Sequence, residues 1–279
     1  MNYIQLNSVT LKEYGERVGL GITPEFKIVA ASYGNLLFLD HRASATFSDV
    51  QADNLYLDHG ICITKSRIIT YTNIDSLIYD MSGTKTNERI TKDRDKSISQ
   101  LVFHDDIVWG ADFNPRETAL YKYSEGLNLS PKKIDLYELT NDKYTTITGF
   151  GSTSKGVTVL LRDNVNKPHS LRIYNAKEGK ISQSYIVAAD QNSKFASFDE
   201  RIYISKGNHI NVYDTNNLDK KKCKPAYQLV LGKGETVVSI ATRGAEDKKI
   251  LAAIVKLKDQ NSLELRIFEE DNQKKSKKK

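Results

Sequence analysis

The sequence predicts an all-β fold, a single β-propeller of six four-stranded antiparallel blades. The main observation is a recurring strand ending. In it, an extended and mainly apolar stretch with a large side chain precedes a residue that can turn the chain. Its copies end at Asp40, Asp80, Ser124, Asn175, Asp214 and Glu269, spaced 40, 44, 51, 39 and 55 positions apart. A strand ending that returns every 40–50 residues is typical of propeller blades. In addition, no stretch of about 10–12 residues keeps helical apolar spacing, and 15 Tyr and 9 Phe supply strand-forming aromatic residues.

Each repeat contains short strands separated by turn-forming residues. In the first blade, a short strand near Arg17–Leu20 precedes a hairpin of Phe26–Ala31 and Asn35–Asp40, and Val50–Leu57 forms the outer strand. Gly34 can supply the positive φ that the hairpin turn needs. The other predicted strands are 61–64, 67–72, 75–80 and 87–91 in blade two; 97–103, 107–111, 118–123 and 132–139 in blade three; 144–150, 157–161, 170–175 and 180–187 in blade four; 194–198, 201–205, 209–214 and 226–231 in blade five; and 235–242, 249–257 and 262–269 in blade six.

The sixth repeat lacks a fourth strand, whereas the N-terminus has a spare one at Tyr3–Val9. A ring of radial sheets closes most simply if this N-terminal strand completes the last blade. Seven blades remain possible if 11–24 contains more strands than the pattern indicates. We therefore expect residues 1–270 to form the propeller and 271–279 to form a disordered basic tail.

Positive charge is concentrated in two segments. The formal net charge is +6, but without the nine lysines of these segments it falls to −3. A run of lysines can neutralise phosphates without sequence preference or serve as a nuclear address. A solubilising tail and an ordinary exposed loop are the alternatives. The predicted contact residues for nucleic acid or a partner are Lys220, Lys221, Lys222, Lys224, Lys274, Lys275, Lys277, Lys278 and Lys279.

Motifs for catalysis, cofactors or metals are not found in the sequence. His104-Asp105-Asp106 is predicted to be a solvated turn, and the five histidines are dispersed. Segments 19–21, 149–156 and 232–236 are glycine-rich but do not match a phosphate loop, so we interpret them as turns. The two cysteines, Cys62 and Cys223, are expected to be free thiols. No secretory signal or membrane span is predicted, and we expect no cofactor, no metal and no enzymatic activity.

The tyrosines in or beside the predicted strands have two interpretations. Packing in the core or across strands is favoured. A base-stacking platform would need exposed aromatic residues beside basic ones, and only Tyr121-Lys122-Tyr123 and Arg172-Ile173-Tyr174 offer that. The tyrosines concerned are Tyr33, Tyr56, Tyr71, Tyr79, Tyr121, Tyr123, Tyr174 and Tyr213.

The repeats resemble the WD40-like propeller family over about residues 3–269. The family often ends its third strand with Trp-Asp, where this chain has Tyr79-Asp80, Tyr174-Asn175 and Tyr213-Asp214. The single tryptophan, Trp109, precedes a glycine, and the Gly-His pair of the family is reversed in His59-Gly60. The resemblance therefore implies the architecture but places no functional residue.

Degenerate propellers of this kind are similar to those in large eukaryotic assemblies. We therefore predict a non-enzymatic scaffold subunit of a nuclear or nucleolar complex, most simply one of ribosome biogenesis, with protein partners and RNA contact through the lysines. No small-molecule substrate and no membrane insertion are expected. One alternative is a subunit of a nuclear pore, vesicle coat or other trafficking complex, which allows a cytoplasmic location. A third is a propeller enzyme with its active site at the channel mouth. Salt-dependent RNA binding separates the first two.

Overall fold

A computed structural model shows the fold for most of the chain. The residues it describes are 3–11, 18–32, 35–40, 48–51, 60–71, 76–88, 100–112, 119–123, 132–136, 146–162, 168–218, 222–245, 248–258 and 262–271.

Strands account for nearly all of the regular structure in these residues. One 3-10 turn, η1, lies at Thr215–Asn217. In chain order the strands are β1 (Tyr3–Leu11), β2 (Gly19–Ile22), β3 (Lys27–Ser32), β4 (Asn35–Asp40), β5 (Ser48–Gln51), β6 (Gly60–Ile63), β7 (Arg67–Tyr71), β8 (Ser76–Asp80), β9 (Gln100–His104), β10 (Ile107–Asp112), β11 (Ala119–Lys122), β12 (Lys132–Asp135), β13 (Thr146–Thr153), β14 (Gly156–Arg162), β15 (Ser170–Asn175), β16 (Lys180–Ile181), β17 (Tyr185–Ile186), β18 (Phe195–Phe198), β19 (Arg201–Lys206), β20 (His209–Asp214), β21 (Tyr227–Val230), β22 (Thr236–Ala245), β23 (Lys248–Lys256) and β24 (Leu263–Glu270).

The strands form six small antiparallel sheets arranged in a ring, which is a six-bladed β-propeller. Blades 1 to 5 begin with β2, β6, β9, β13 and β18, and their strands follow in chain order. Blade 6 has the order β22, β23, β24 and then β1. The first strand of each blade packs against the first strand of the next blade, and β22 returns to β2. The predicted fold class is confirmed, with six blades rather than seven.

Blade 6 is completed by the N-terminal strand, as the sequence predicts. β1 pairs with β24 from Tyr3 opposite Glu270 to Leu11 opposite Leu263. The register shifts once, between Gln5 and Asn7. The Tyr3 hydroxyl lies 2.8 Å from the Tyr203 hydroxyl of β19, so the first strand also contacts blade 5. Closure of the ring therefore depends on pairing the two ends of the chain.

Three predicted inner or outer strands of blades 1 and 4 were wrong in detail. The first strand of blade 1 is β2 at Gly19–Ile22, and its outer strand β5 is Ser48–Gln51, while 52–57 lie outside the described residues. Blade 4 has two short outer pieces, β16 and β17, both paired with β15. The interruption begins at Ser182, whose hydroxyl accepts a hydrogen bond from Ile173 N at 2.9 Å in place of a strand carbonyl.

The fourth strand predicted for blade 2, at 87–91, is also wrong at the residues that the structure describes. Residues 87 and 88 are not in a strand, and 89–91 lie outside the described residues. The Asp80 carboxylate accepts hydrogen bonds from Ser82 N and Thr84 N and so turns the chain back at once. Lys85 then forms an isolated antiparallel β-bridge with Tyr79 of β8. This bridge occupies the edge of β8 where the fourth strand was predicted.

The core consists of apolar layers between neighbouring blades. Val9, Leu11 and Ile267 of blade 6 pack with Leu20 and Ile28 of blade 1, for example. The two faces of a blade pack against its two neighbouring blades, so its middle strands have apolar residues on both faces. This packing explains why the middle strands are strongly apolar. The described tyrosines of the sequence analysis are all buried, which confirms core packing and rules out a stacking platform at these positions: Tyr71, Tyr79, Tyr121, Tyr123, Tyr174 and Tyr213. Tyr33 and Tyr56 lie outside the described residues.

Candidate functional site

The first strands of the six blades surround a central channel. A cavity of about 220 Å³ lies in it, lined by all six of these strands. Its lining is mixed, with the polar side chains of Gln100, Ser152, Ser197, Thr242 and Arg243 among the apolar Leu20, Ile61, Phe103 and Phe198. Most of these residues lie towards the ends of their strands, close to the turns that join the first and second strands of each blade. We call this end of the channel, at Phe103, Ser152, Phe198 and Arg243, the hairpin mouth.

Two of the glycine-rich segments lie wholly or partly in the channel wall, so their interpretation as turns was wrong for 19–21 and only partly right for 149–156. Gly19 and Gly21 belong to β2, and Gly149 and Gly151 belong to β13. A Cβ atom on Gly149 would lie only 2.6 Å from the Phe195 Cβ of the neighbouring blade. These glycines let adjacent first strands approach each other closely. Turns do occur at Ser154-Lys155 in the second segment and at Lys233-Gly234 in the third, where Gly234 has φ of 86°.

Polar groups in the channel wall join neighbouring blades. Gln100 Nε2 donates to Phe150 O at 3.0 Å, and Ser152 Oγ donates to Phe103 O at 3.1 Å, so blades 3 and 4 are cross-linked in both directions. The Ser197 hydroxyl lies 3.0 Å from the Thr158 hydroxyl and links blades 4 and 5. These contacts satisfy buried polar groups and hold the shape of the channel.

Arg243 is the charged side chain in the described lining of the cavity. Its NH1 donates to Ile22 O of blade 1 at a long 3.5 Å, and its guanidinium carbon lies 5.9 Å from the centre of the Phe198 ring of blade 5. Burial lowers the pKa of Arg243, and the charge of Glu25 opposes that shift. The local sequence contains no signal for this residue, because Thr236–Ala245 reads as an ordinary strand.

The predicted turn at His104-Asp105-Asp106 is confirmed. Asp105 and Asp106 have φ of 48° and 62° and join β9 to β10. Their carboxylates are directed to neighbouring blades, with Lys65 Nζ 2.6 Å from Asp106 and Lys177 Nζ 3.6 Å from Asp105. Burial lowers the pKa of His104. Among the described residues no group of His, Cys, Asp and Glu could hold a metal ion.

Of the predicted lysine contacts, Lys222 and Lys224 lie in the described structure, and both are exposed. Cys223 between them is buried among Leu171, Val187 and Tyr213. Its backbone N–H donates to Ile186 O of blade 4 at 2.9 Å. The segment Lys222–Lys224 is therefore attached along the boundary of blades 4 and 5 with its lysines outward. Lys220, Lys221, Lys274, Lys275, Lys277, Lys278 and Lys279 lie outside the described residues.

Neither cysteine forms a disulfide, as expected from the sequence, and both are buried, which the sequence analysis did not predict. Burial raises the pKa of Cys62 to about 12, so its thiol stays protonated at neutral pH. The role of Cys223 as the attachment point of the lysine segment was missed, because a lone cysteine in a lysine run has no periodic pattern.

The ring of sheets and its channel define the class of protein, a six-bladed β-propeller. No family model and no curated protein matches the sequence. Similar solved structures include a chain of the mitotic checkpoint complex (10% identity, TM-score 0.60, covering 95% of this chain and 92% of that chain). A gluconolactonase from Xanthomonas campestris is similar too (11% identity, TM-score 0.61, coverage 94% and 89%). U3-55K is a third (10% identity, TM-score 0.55, coverage 91% and 79%).

At such low identities these likenesses show the fold alone. The fold is shared by enzymes and by subunits of protein complexes. The prediction that excluded an enzyme was therefore wrong to do so, since the gluconolactonase has the same architecture. No helix among the described residues is long and apolar enough to cross a membrane.

Proposed function

We propose that this chain is a propeller subunit that binds other proteins within a large nuclear or nucleolar assembly, and that it contacts RNA through its two lysine clusters. The assembly we propose is one of ribosome biogenesis. The observation that carries the proposal is the lysine segment at the boundary of blades 4 and 5. Its two described lysines are exposed on either side of Cys223, which is 6% exposed.

Attachment of the segment favours binding. A lysine on a free loop loses conformational entropy when it is held against a phosphate. Here the backbone N–H of Cys223 already donates a hydrogen bond to Ile186 O. Part of the conformational entropy is therefore already lost in the unbound protein. Lys220 and Lys221 continue the same cluster in sequence. The second cluster holds five lysines within the six residues 274–279.

The rest of the chain has no general attraction for phosphate, because its formal charge without the nine lysines is −3. RNA binding by this chain would then be local, electrostatic and independent of sequence. The fold likeness to a chain of the mitotic checkpoint complex supports the use of such a ring within a protein assembly.

The test is a titration of a labelled single-stranded RNA at two salt concentrations. Wild type should show a log–log salt slope of roughly −0.7 for each lysine–phosphate contact. Changing Lys220, Lys221, Lys222 and Lys224 to Gln should flatten the slope and weaken binding to unrelated sequences equally. Changing Lys274, Lys275, Lys277, Lys278 and Lys279 to Gln should have a larger effect.

The control changes two other exposed lysines, Lys180→Gln with Lys194→Gln, which lie in neither cluster and should leave the slope close to that of wild type. Absence of RNA binding by wild type at low salt would overturn the RNA role and favour a pore or trafficking complex. Affinity purification with mass spectrometry of the co-eluting proteins then distinguishes these assemblies.

A further inference from the structure

We propose that the hairpin mouth of the channel is a binding site for a carboxylate attached to an apolar body, with Arg243 as the residue that binds the carboxylate. The carboxylate can belong to a free organic acid or to an acidic side chain of a peptide segment. This inference does not depend on the proposed function, since it uses a different surface from the lysine segment.

The first reason is the unused hydrogen-bonding capacity of Arg243. A guanidinium has five N–H donors in a planar fork that matches a carboxylate. The hydrogen bond of this guanidinium to a described residue is a single long one, 3.5 Å from NH1 to Ile22 O. No described carboxylate lies within ion-pair distance of it, and the nearby charge of Glu25 acts from further away. Most of the donors are therefore available to a ligand.

The second reason is the location of this cation. Arg243 lines the cavity together with Phe103, Phe198 and Ile22, which belong to three other blades. The low polarity of these neighbours strengthens an ion pair formed there. A partly buried charge without a carboxylate is costly, so a bound carboxylate would relieve that cost.

The size and charge of the site favour a carboxylate over a phosphate group. A cavity of about 220 Å³ lies below the roughly 300–1,000 Å³ typical of pockets for drug-sized ligands, so it suits a short chain or one side chain rather than a nucleotide. A phosphate dianion would need more than one cation, and Glu25 would repel a dianion more strongly than a monoanion. A monoanion with an apolar body matches one guanidinium between aromatic and aliphatic side chains.

The first arm of the test uses hexanoate, with hexanamide as its uncharged counterpart, and follows the amide resonances of the isotope-labelled protein. Hexanoate should shift the resonances of Gly21, Gly151 and Thr242 in the channel wall. It should leave those of Gly179 and Gly207, which lie in exposed turns, unchanged. Hexanamide should bind at least about tenfold more weakly. Equal shifts with both compounds, or no shifts in the channel, would overturn the proposal without any variant.

The second arm uses variants. Arg243→Gln should weaken hexanoate binding about tenfold or more, Arg243→Lys should restore part of it, and the control Arg162→Gln, outside the described lining, should bind like wild type. If Arg243→Gln is folded and binds hexanoate as tightly as wild type, Arg243 is not the binding residue. If it does not fold, the comparison of hexanoate with hexanamide decides.

The third arm separates the two sources of the carboxylate. A capped hexapeptide with one internal glutamate among leucines is compared with its glutamine counterpart. Tighter binding of the glutamate peptide than of hexanoate, with the same resonances shifted, assigns the site to a peptide segment. Binding of hexanoate alone assigns it to a free acid. Both results support the carboxylate site.

Discussion

At the scale of single residues, the aromatic side chain before the recurring turn is a packing element. Tyr213 is fully buried. Its hydroxyl accepts a hydrogen bond from Ala188 N of the blade 4–5 connection at 2.9 Å. The same side chain thus fills the space between two blades and satisfies a backbone donor. The turn residue after it, Asp214, pairs with Arg201 at 2.6 Å.

We expect Tyr213→Ala to lower the free energy of unfolding by about 2–4 kcal/mol, the range for removing a large buried side chain. Tyr213→Phe keeps the ring and leaves Ala188 N unpaired, so its effect should be smaller, about 1–3 kcal/mol. Chemical denaturation measures both. A loss below about 0.5 kcal/mol for the alanine variant would contradict the burial of this side chain.

At the scale of elements, the first strand of each blade is constrained by its two neighbours in the ring. β13 lies between β9 and β18, and its glycines occur where the next strand is closest. Gly149 faces Phe195, and Gly151 faces Ser197 and Phe195. Side chains at these positions would push blades 4 and 5 apart, so the narrow channel depends on them.

Gly149→Ala should destabilise the protein by about 1–3 kcal/mol, the usual cost of overpacking a close contact. This cost should exceed the small gain that alanine normally gives over glycine in a strand. Thermal and urea denaturation would show this loss. Gln191→Ala, in an exposed turn, serves as the control and should change stability little. A neutral or stabilising result for Gly149→Ala would mean that the first strands are further apart than the structure shows.

At the scale of the whole molecule, the ring is closed by a strand that is far from its partner in sequence. β1 pairs with β24 along its length, and Tyr3 packs against Tyr203 and Tyr227 of blade 5. The N-terminal strand therefore stabilises two blades. Removing it would expose the edge of β24 and open the layer between blades 5 and 6.

Deleting residues 1–9 should lower the melting temperature much more than deleting 271–279, because only the first deletion unpairs a strand ladder. Differential scanning fluorimetry of both truncated proteins measures the difference. Tyr3→Ala should have an intermediate effect, since it removes the contacts to blade 5 but leaves the backbone ladder. Equal melting temperatures for the two deletions would contradict closure by β1.

Much of the fold could be predicted from the sequence because blades are local structures. The third strand of each repeat and its turn are made by neighbouring residues, so the recurring endings at Asp40, Asp80 and Asp214 were enough to place blades and their middle strands. The incomplete sixth repeat likewise predicted the closing role of Tyr3–Val9. The outer strand β16 was placed less well, because it ends where the Ser182 hydroxyl accepts a hydrogen bond from Ile173 N.

The residues that line the channel and the attachment of the lysine segment could not be predicted from the sequence, because both depend on the tertiary structure. Contacts between first strands join residues about 50 positions apart, such as Gly149 with Phe195, and no local period records which residues meet across such a distance. The same holds for Arg243, whose neighbours Ile22 and Phe198 come from two other blades, and for Cys223, which is fixed by Ile186. Local patterns specified the blades, their number and most of their strands. The closing of the ring decided which side chains surround the channel, because that depends on how the blades pack together.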